Sequence, residues 1–280
     1  MGVFEKTFKF DRSFLKKLFN KDLIFRKLKE RLRNLKRKER ISKASPEIKQ
    51  IFEKGYLKLS WMQVFGENIA QSNLYKEMKE ECNKLNFDDS CKYKSDKTFY
   101  LAKKYTKGSS IVDGALLRFI HSTNIDKILS QYFLGNYRLI YADYWLSKFH
   151  NKQRVGSQLW HCDPEDPVML KIFVYFQDVT EKNGATEIIQ QTQVEGSKCF
   201  RAWHKKKLSG GYIENKELKM KFPDYKKYIF KAEGEEGDIF LIDTTALHRG
   251  GYGINERRIA NISFVSMDCQ IPPAWRSSYC

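Results

Sequence analysis

The pattern of apolar and polar positions changes once along the chain. Before about residue 135, apolar residues recur at helical spacing. In RSFLKKLFNKDLIFRKLKERLRNLKRKERI, Leu18, Phe25, Leu28, Leu32 and Leu35 fall three, four or seven apart with cations between them, which predicts a basic amphipathic helix. Ser45-Pro46 closes it with a turn, since Pro46 disfavours helical geometry in the residue before it. Helical periodicity returns in WMQVFGENIAQSNLYKEMKEECNKL and in IDKILSQYF.

Beyond residue 137 the texture is that of strands. YRLIYADYWLS, SQLWHCD, VMLKIFVYFQDV, ATEIIQQ, GDIFLIDTTALH and RRIANISFVSM are short runs rich in β-branched and aromatic residues, punctuated by Gly, Pro and Asn-Gly. Helices first and many strands afterwards predict a mainly β fold, an antiparallel sandwich or barrel with helices packed outside. The expected organisation is a basic helical extension over 1–45 and a β domain over 46–280. A polar stretch from about 197 to 236, with Trp203 and Tyr212, interrupts the strands as an insertion and a candidate lid.

Charge changes this picture in one place. The 280 residues carry a formal +17, but residues 12–43 alone hold 14 Lys+Arg against 3 Asp+Glu. The basicity belongs mainly to the first helix, so it makes nucleic acid a poor expectation for the domain as a whole. The helix reads either as an arm for an anionic membrane surface or other polyanion, or as a solvated helix docked by its leucine stripe. Cys82, Cys91, Cys162, Cys199, Cys269 and Cys280 form no CxxC pair, and with no recognisable leader this predicts a reduced, cytoplasmic setting, with peripheral membrane contact through residues 12–43. No stretch is apolar enough for a transmembrane helix, and neither MGVFEK nor the terminal Cys280 fits a common lipid-anchor signal.

Five histidines are present: His121, His150, His161, His204 and His248. His161 and Asp163 stand two apart in a strand-like run and should face the same way, with Cys162 between them facing the other. His248 ends GDIFLIDTTALH, nine residues before the pair Arg257-Arg258. A sandwich that laid these strands side by side would gather two imidazoles and one carboxylate at a point. Such a set leaves three octahedral positions open, as a non-haem Fe(II) site requires. A structural zinc site would close four tetrahedral positions instead.

These residues also stand in a familiar order. WHCDPEDPVMLKIFVYFQDVTEKNGATEII, followed by GDIFLIDTTALHRGGYGINERRIANISFVS, resembles the phytanoyl-CoA dioxygenase family of Fe(II)/2-oxoglutarate-dependent oxygenases, over about residues 140–267. FEKGYLKLS at 52–60 fits the family's opening strand less distinctly. The resemblance implies a double-stranded β-helix (jelly-roll) core and Fe(II) held by His161, Asp163 and His248. It further implies that Arg257, or Arg258 as a close second, binds the distal carboxylate of 2-oxoglutarate. Only one of the two arginines can face inward on a regular strand. The implied activity consumes O2 and 2-oxoglutarate, releases succinate and CO2, and hydroxylates an unactivated C–H bond of a small-molecule, lipid-linked or sugar-linked substrate. Asp163 favours hydroxylation, because halogenating relatives carry a small residue at that position.

Other readings attach to the same residues. The chain could be a non-catalytic barrel that binds polyanions through its basic arm, or a cupin-like metalloprotein with a further ligand such as His150. His121 and His204 read as packing or surface positions. Tyr144, Trp145, Gln158 and Trp160 flank the HxD run, some as core and some as pocket wall. Lys171, the one cation in an apolar strand, is expected at an edge with its ammonium reaching water.

Overall fold

A computed structural model describes Ile41 and residues 44–67, 69–86, 99–104, 114–149, 154, 156–163, 165–166, 168–194, 197–199, 211–267 and 269. All but Ile41 fall within one compact unit, 44–280. The expected basic helix over 12–43, apart from Ile41, and His150, Trp203 and His204 lie outside the described residues.

The Ser45-Pro46 turn is itself a helix start. Helix α1 (Pro46–Lys54) has Pro46 in its first turn, where a missing N–H costs nothing, and the Ser45 hydroxyl accepts from the Ile48 amide. Its buried face is Ile48, Ile51 and Phe52. Gly55 closes it in the left-handed region at φ 89° and turns the chain into β1 (Tyr56–Ser60). Thus only part of FEKGYLKLS is strand. Ser60 and Gln63 form a reciprocal capping box that opens α2 (Trp61–Phe65).

Helix α3 (Ile69–Asn83) and strand β2 (Phe99–Lys104) follow, then α4 (Gly114–Ile120) and α5 (Thr123–Phe133). Helix α5 buries Ile125, Leu129, Tyr132 and Phe133, a spacing of four, three and one that makes a single face. Its Tyr132 ring stacks on Phe52 of α1 at 5.3 Å between centroids.

Two antiparallel sheets make the core. Strands β3 (Tyr137–Phe149), β4 (Met169–Tyr175), β7 (Asp238–Asp243) and β9 (Arg257–Ser266) join β1 and β2 in a six-stranded sheet of order β1-β7-β4-β9-β3-β2. Strands β5 (Glu187–Ile189), β6 (Ile229–Lys231) and β8 (Leu247–Arg249) form a second sheet of order β6-β5-β8. Isolated bridges extend its edge, pairing His161 with His248 and Trp160 with Ile213. The sheets meet through Phe173, Tyr175, Phe240, Ile242 and Ile259 on one side and Ile188 on the other. The architecture is therefore mainly antiparallel β with helices outside, in line with a jelly-roll core.

Side-chain alternation sorts the smaller sheet cleanly. Trp160, Ile189 and Leu247 point outward into a second cluster with Leu218, Phe222 and Tyr225, supplied by α6 (Asn215–Lys221) and the turn after it. Their neighbours His161, Ile188 and His248 then face the larger sheet. The stretch expected as an insertion thus contributes to the core, since Ile213, α6 and β6 all lie within 197–236.

Glycines let the strands close over each other after β8. A Cβ on Gly251 would lie 2.0 Å from the Ala185 carbonyl oxygen, and one on Gly253 would lie 2.2 Å from the Gly184 nitrogen. No side chain fits either place.

Candidate metal centre

The backbone brings the HxD run and the second histidine together before any side chain is considered. The His161 amide donates to the His248 carbonyl and the His248 amide donates to the His161 carbonyl, both at 2.9 Å. Two residues on, the Asp163 amide donates to the Thr244 carbonyl at 3.1 Å. This pairing of a short run against β8 is what turns a sequence separation of almost ninety residues into contact.

The side chains converge. Asp163 Oδ1 lies 3.7 Å from His161 Nε2 and 3.7 Å from His248 Nε2. Donors about 2.0–2.2 Å from one shared ion can span that separation. The three form the one group of metal-ligating side chains of this kind found among the described residues. Cys162 takes no part: it faces the outer cluster and its thiol donates to the Thr245 carbonyl at 3.1 Å.

The protons are elsewhere. His161 Nδ1 lies 2.8 Å from the Leu159 carbonyl oxygen and His248 Nδ1 lies 3.0 Å from the Ala246 carbonyl oxygen. A carbonyl can only accept, so each Nδ1 carries the ring proton and each Nε2 is left with a lone pair. Burial pushes both imidazoles below their ordinary range, His248 to about 3 with help from His161, so neither gains a second proton at neutral pH. At Asp163 burial would raise the carboxyl and is the largest single influence, but the charge and hydrogen bond of Lys171, joined by the two imidazoles, together outweigh it and hold the carboxyl below the usual range. Three acceptors therefore meet with no proton between them. A divalent cation with a borderline taste for N and O donors fits such a set, and backbone-bonded Nδ1 atoms are the usual outer support for metal-binding imidazoles.

Lys171 corrects the expectation of an edge position. Strand β4 lies inside the larger sheet, between β7 and β9. The Lys171 ammonium is buried beside Tyr141, and its Nζ lies 2.6 Å from Asp163 Oδ2. A lone cation in an apolar strand was the visible signal, and a buried anion rather than water is what it meets.

A cavity opens from this centre along the inner face of the larger sheet. Successive inward rows carry Lys171 and Ser263, then Phe173 and Asn261, then Tyr175 and Ile259. Trp145 and Ser147 come from β3, Thr186 precedes β5, and Gln158 closes one side. Of the four flanking residues, Trp145 and Gln158 line the cavity, whereas Trp160 and Tyr144 are core.

The arginine pair is divided by strand alternation. Arg257 is buried and lines the cavity, its Nη1 donating to the Gly184 carbonyl at 2.6 Å and reaching Thr186 Oγ1 at 3.4 Å. Its Nε has no partner, and no carboxylate among the described residues pairs with it. Arg258 faces the other way, and its Nη1 donates to the Cys82 and Leu85 carbonyls at the end of α3, each at 3.0 Å. Deeper in the cavity, Asn261 is fully buried with neither end of its carboxamide bonded, and the Thr244 hydroxyl is likewise unbonded. Buried polar groups without partners are few in folded proteins, and Arg257, Asn261 and Thr244 bring three of them to one space.

An ion-pair cluster on the far side of β8 was missed in the sequence. Arg249 sits opposite Glu187 in register and donates to its Oε2 from Nε and Nη2, at 3.0 and 2.5 Å. Its Nη1 reaches Asn215 Oδ1 and its guanidinium lies 4.1 Å from the Trp160 ring centroid. Arg154 joins from outside, bonding Glu187 Oε1 and the Gly250 carbonyl. Of the remaining candidates, His121 is exposed, and Tyr212 sits with its ring 5.4 Å from that of His161.

No family model matches the chain, and no curated protein does. Solved structures do resemble it. The epimerase SnoN, in complex with Fe3+, alpha ketoglutarate and nogalamycin RO, superimposes with a TM-score of 0.55 at 12% identity, over 81% of this chain and 85% of that one. HygX from Streptomyces hygroscopicus, with nickel and 2-oxoglutarate bound, gives 0.51 at 14% identity, over 80% and 88%. The non-heme alpha ketoglutarate dependent carbocyclase SnoK gives 0.51 at 14% identity, over 83% and 88%. At these identities the likeness establishes a shared fold.

Proposed function

We propose that this chain is an Fe(II)- and 2-oxoglutarate-dependent oxygenase that hydroxylates an unactivated C–H bond of a small-molecule, lipid-linked or sugar-linked substrate. The observation that carries the reading is the meeting of His161 Nε2, His248 Nε2 and Asp163 Oδ1 with no proton among them. The resemblance of its motif order to that of phytanoyl-CoA dioxygenases supports it, as does the fold shared with proteins solved with iron, nickel and 2-oxoglutarate.

His161, Asp163 and His248 would hold the iron. Arg257 would take the distal carboxylate of 2-oxoglutarate, as a buried guanidinium whose charge no carboxylate among the described residues pairs with. Bound together, iron and 2-oxoglutarate supply oxidation by O2, with the keto acid leaving as succinate and CO2. The protein's own part is placement and exclusion. The carbonyls of Leu159 and Ala246 fix the two rings, and the strand pairing of His161 with His248 fixes their spacing. Trp145 and Phe173 wall the space with apolar surface and limit water around the reacting carbon. Asn261 and Thr244 offer hydrogen bonds to whatever occupies the cavity. Asp163 keeps one coordination position for the protein, which favours oxygen transfer over halide transfer.

In air with Fe(II), ascorbate and 2-oxoglutarate, the full-length protein should form succinate, slowly without a substrate and faster with one. His161→Ala and His248→Ala should fall to the background of iron alone. Succinate formation at the wild-type rate in either variant contradicts the assignment. Incorporation of label from isotopic O2 into the oxidised substrate separates hydroxylation from the epimerase and carbocyclase outcomes named for proteins of the same fold.

A further inference from the structure

We propose that Lys171 is a positioning residue that occupies Oδ2 of Asp163 and cancels its charge, so that the site retains a divalent metal firmly only when a dicarboxylate is seated against Arg257. The inference rests on the proposed oxygenase reading and adds to it a linkage between the two ligands.

Geometry comes first. Lys171 Nζ lies 2.6 Å from Asp163 Oδ2, while Oδ1 is the oxygen turned toward both imidazoles. The ammonium thus engages Oδ2, and Asp163 is left with Oδ1 to give. Both side chains are nearly closed to solvent, at 13% and 9% exposure, so water screens the pair poorly. Lys171 reaches this place from the middle of β4, packed beside Tyr141, and Asp163 is the only carboxylate among the described residues that pairs with it.

Charge follows from that placement. Two neutral imidazoles and one carboxylate would lower the charge of a divalent ion by one, and the Lys171 ammonium puts that one back. Farther along the same cavity, the buried Arg257 adds a second cation with no carboxylate among the described residues paired to it. A site of this kind repels a lone metal ion and welcomes a doubly charged anion that reaches from the metal to Arg257. The metal and 2-oxoglutarate therefore bind with positive coupling, each raising the affinity for the other by the same factor. Without Lys171 the carboxylate is unshared, so a metal alone should bind better and the coupling should shrink.

The test is a set of calorimetric titrations of full-length protein with Mn(II), without and with saturating 2-oxoglutarate, under argon. Wild type should bind Mn(II) about tenfold or more tightly when 2-oxoglutarate is present, within the range usual for two coupled ligands. Lys171→Met should bind Mn(II) alone more tightly than wild type and lose most of the coupling. Lys171→Gln, which keeps a hydrogen-bond donor for the stranded buried carboxylate, should do the same and carries the test if the Met variant does not fold. Lys171→Arg, which keeps the charge, should restore the coupling. A structural role alone would weaken all binding without changing the ratio of the two affinities. Coupling at the wild-type level in a folded Met or Gln variant overturns this inference and leaves the oxygenase reading intact. No Mn(II) binding by wild type under either condition overturns both.

Discussion

Arg257 and Arg258 are adjacent in sequence and opposite in surroundings. One is buried in the cavity, and the other ties the end of α3 to β9. Loss of a buried, charge-assisted contact costs about 2–5 kcal/mol, so Arg257→Ala should raise the KM for 2-oxoglutarate roughly 30-fold or more. Arg258→Ala should change it less than about threefold while lowering thermal stability by about 1–3 kcal/mol, the cost of carbonyls left without their donor. Equal effects would place the co-substrate anchor elsewhere. The histidines give a second expectation at this scale. Both are held neutral by burial, so an unfolded chain takes up protons at these positions as pH falls below about 6.5 and the folded chain does not. The stability they carry is complete above that pH and is lost as pH falls toward about 3, the value for His248. Asp163, also depressed, adds a loss of the same sign at lower pH. Glu165, pushed up to about 7 by burial and by Asp163, acts in reverse and loses its contribution as pH rises through 7. Metal-free protein should therefore melt at falling temperature from pH 6.5 to 4.5, because two histidines outweigh Glu165, and the His161→Ala/His248→Ala variant should lose that slope, with Glu165 tilting it the other way.

At the scale of elements, the site depends on how β8 is held. It is three residues long, yet it carries His248 inward and Arg249 outward, and Arg249 is clamped by Glu187, Asn215 and the Trp160 ring. Arg249 and Glu187 expose only 9% and 10% of their side chains. Breaking such a pair by removing one partner costs about 3–5 kcal/mol. Glu187→Gln and Arg249→Met should each lower stability by about that much and weaken metal binding, although neither residue faces the cavity. Unchanged denaturation midpoints would mean that packing alone positions β8. The sequence made the inward half of this arrangement legible, because HxD spacing and a later histidine follow from strand alternation. It did not reveal the outward half. The pairing of Glu187 with Arg249 depends on β5 meeting β8 across 62 positions, and no local pattern encodes that register. Lys171 was misjudged for the same reason: its strand reads as apolar from either an edge or a central place, and only the order β7-β4-β9 decides. The stretch 197–236 was hard to read because its one strand among the described residues, Ile229–Lys231, is too short to show alternation.

For the whole molecule, the helices and the two sheets serve one arrangement. Helices α1 and α5 pack together through Phe52 and Tyr132, α3 is tied to β9 through Arg258, and α6 covers the smaller sheet. No helix among the described residues is long and apolar enough to cross a membrane. Between the sheets lies a cavity with three converging acceptors at one end, Arg257 farther along it, and unbonded polar groups on its walls. The proposed oxygenase requires that cavity to take one metal ion and one dicarboxylate. The most direct measurement is an oxygen-free crystal structure of the full-length protein soaked with Mn(II) and 2-oxoglutarate, the ion identified by anomalous scattering. The account predicts a single ion within about 2.0–2.2 Å of His161 Nε2, Asp163 Oδ1 and His248 Nε2, with the distal carboxylate of 2-oxoglutarate on Arg257. An ion held by other residues, or a dicarboxylate that leaves Arg257 untouched, would contradict it.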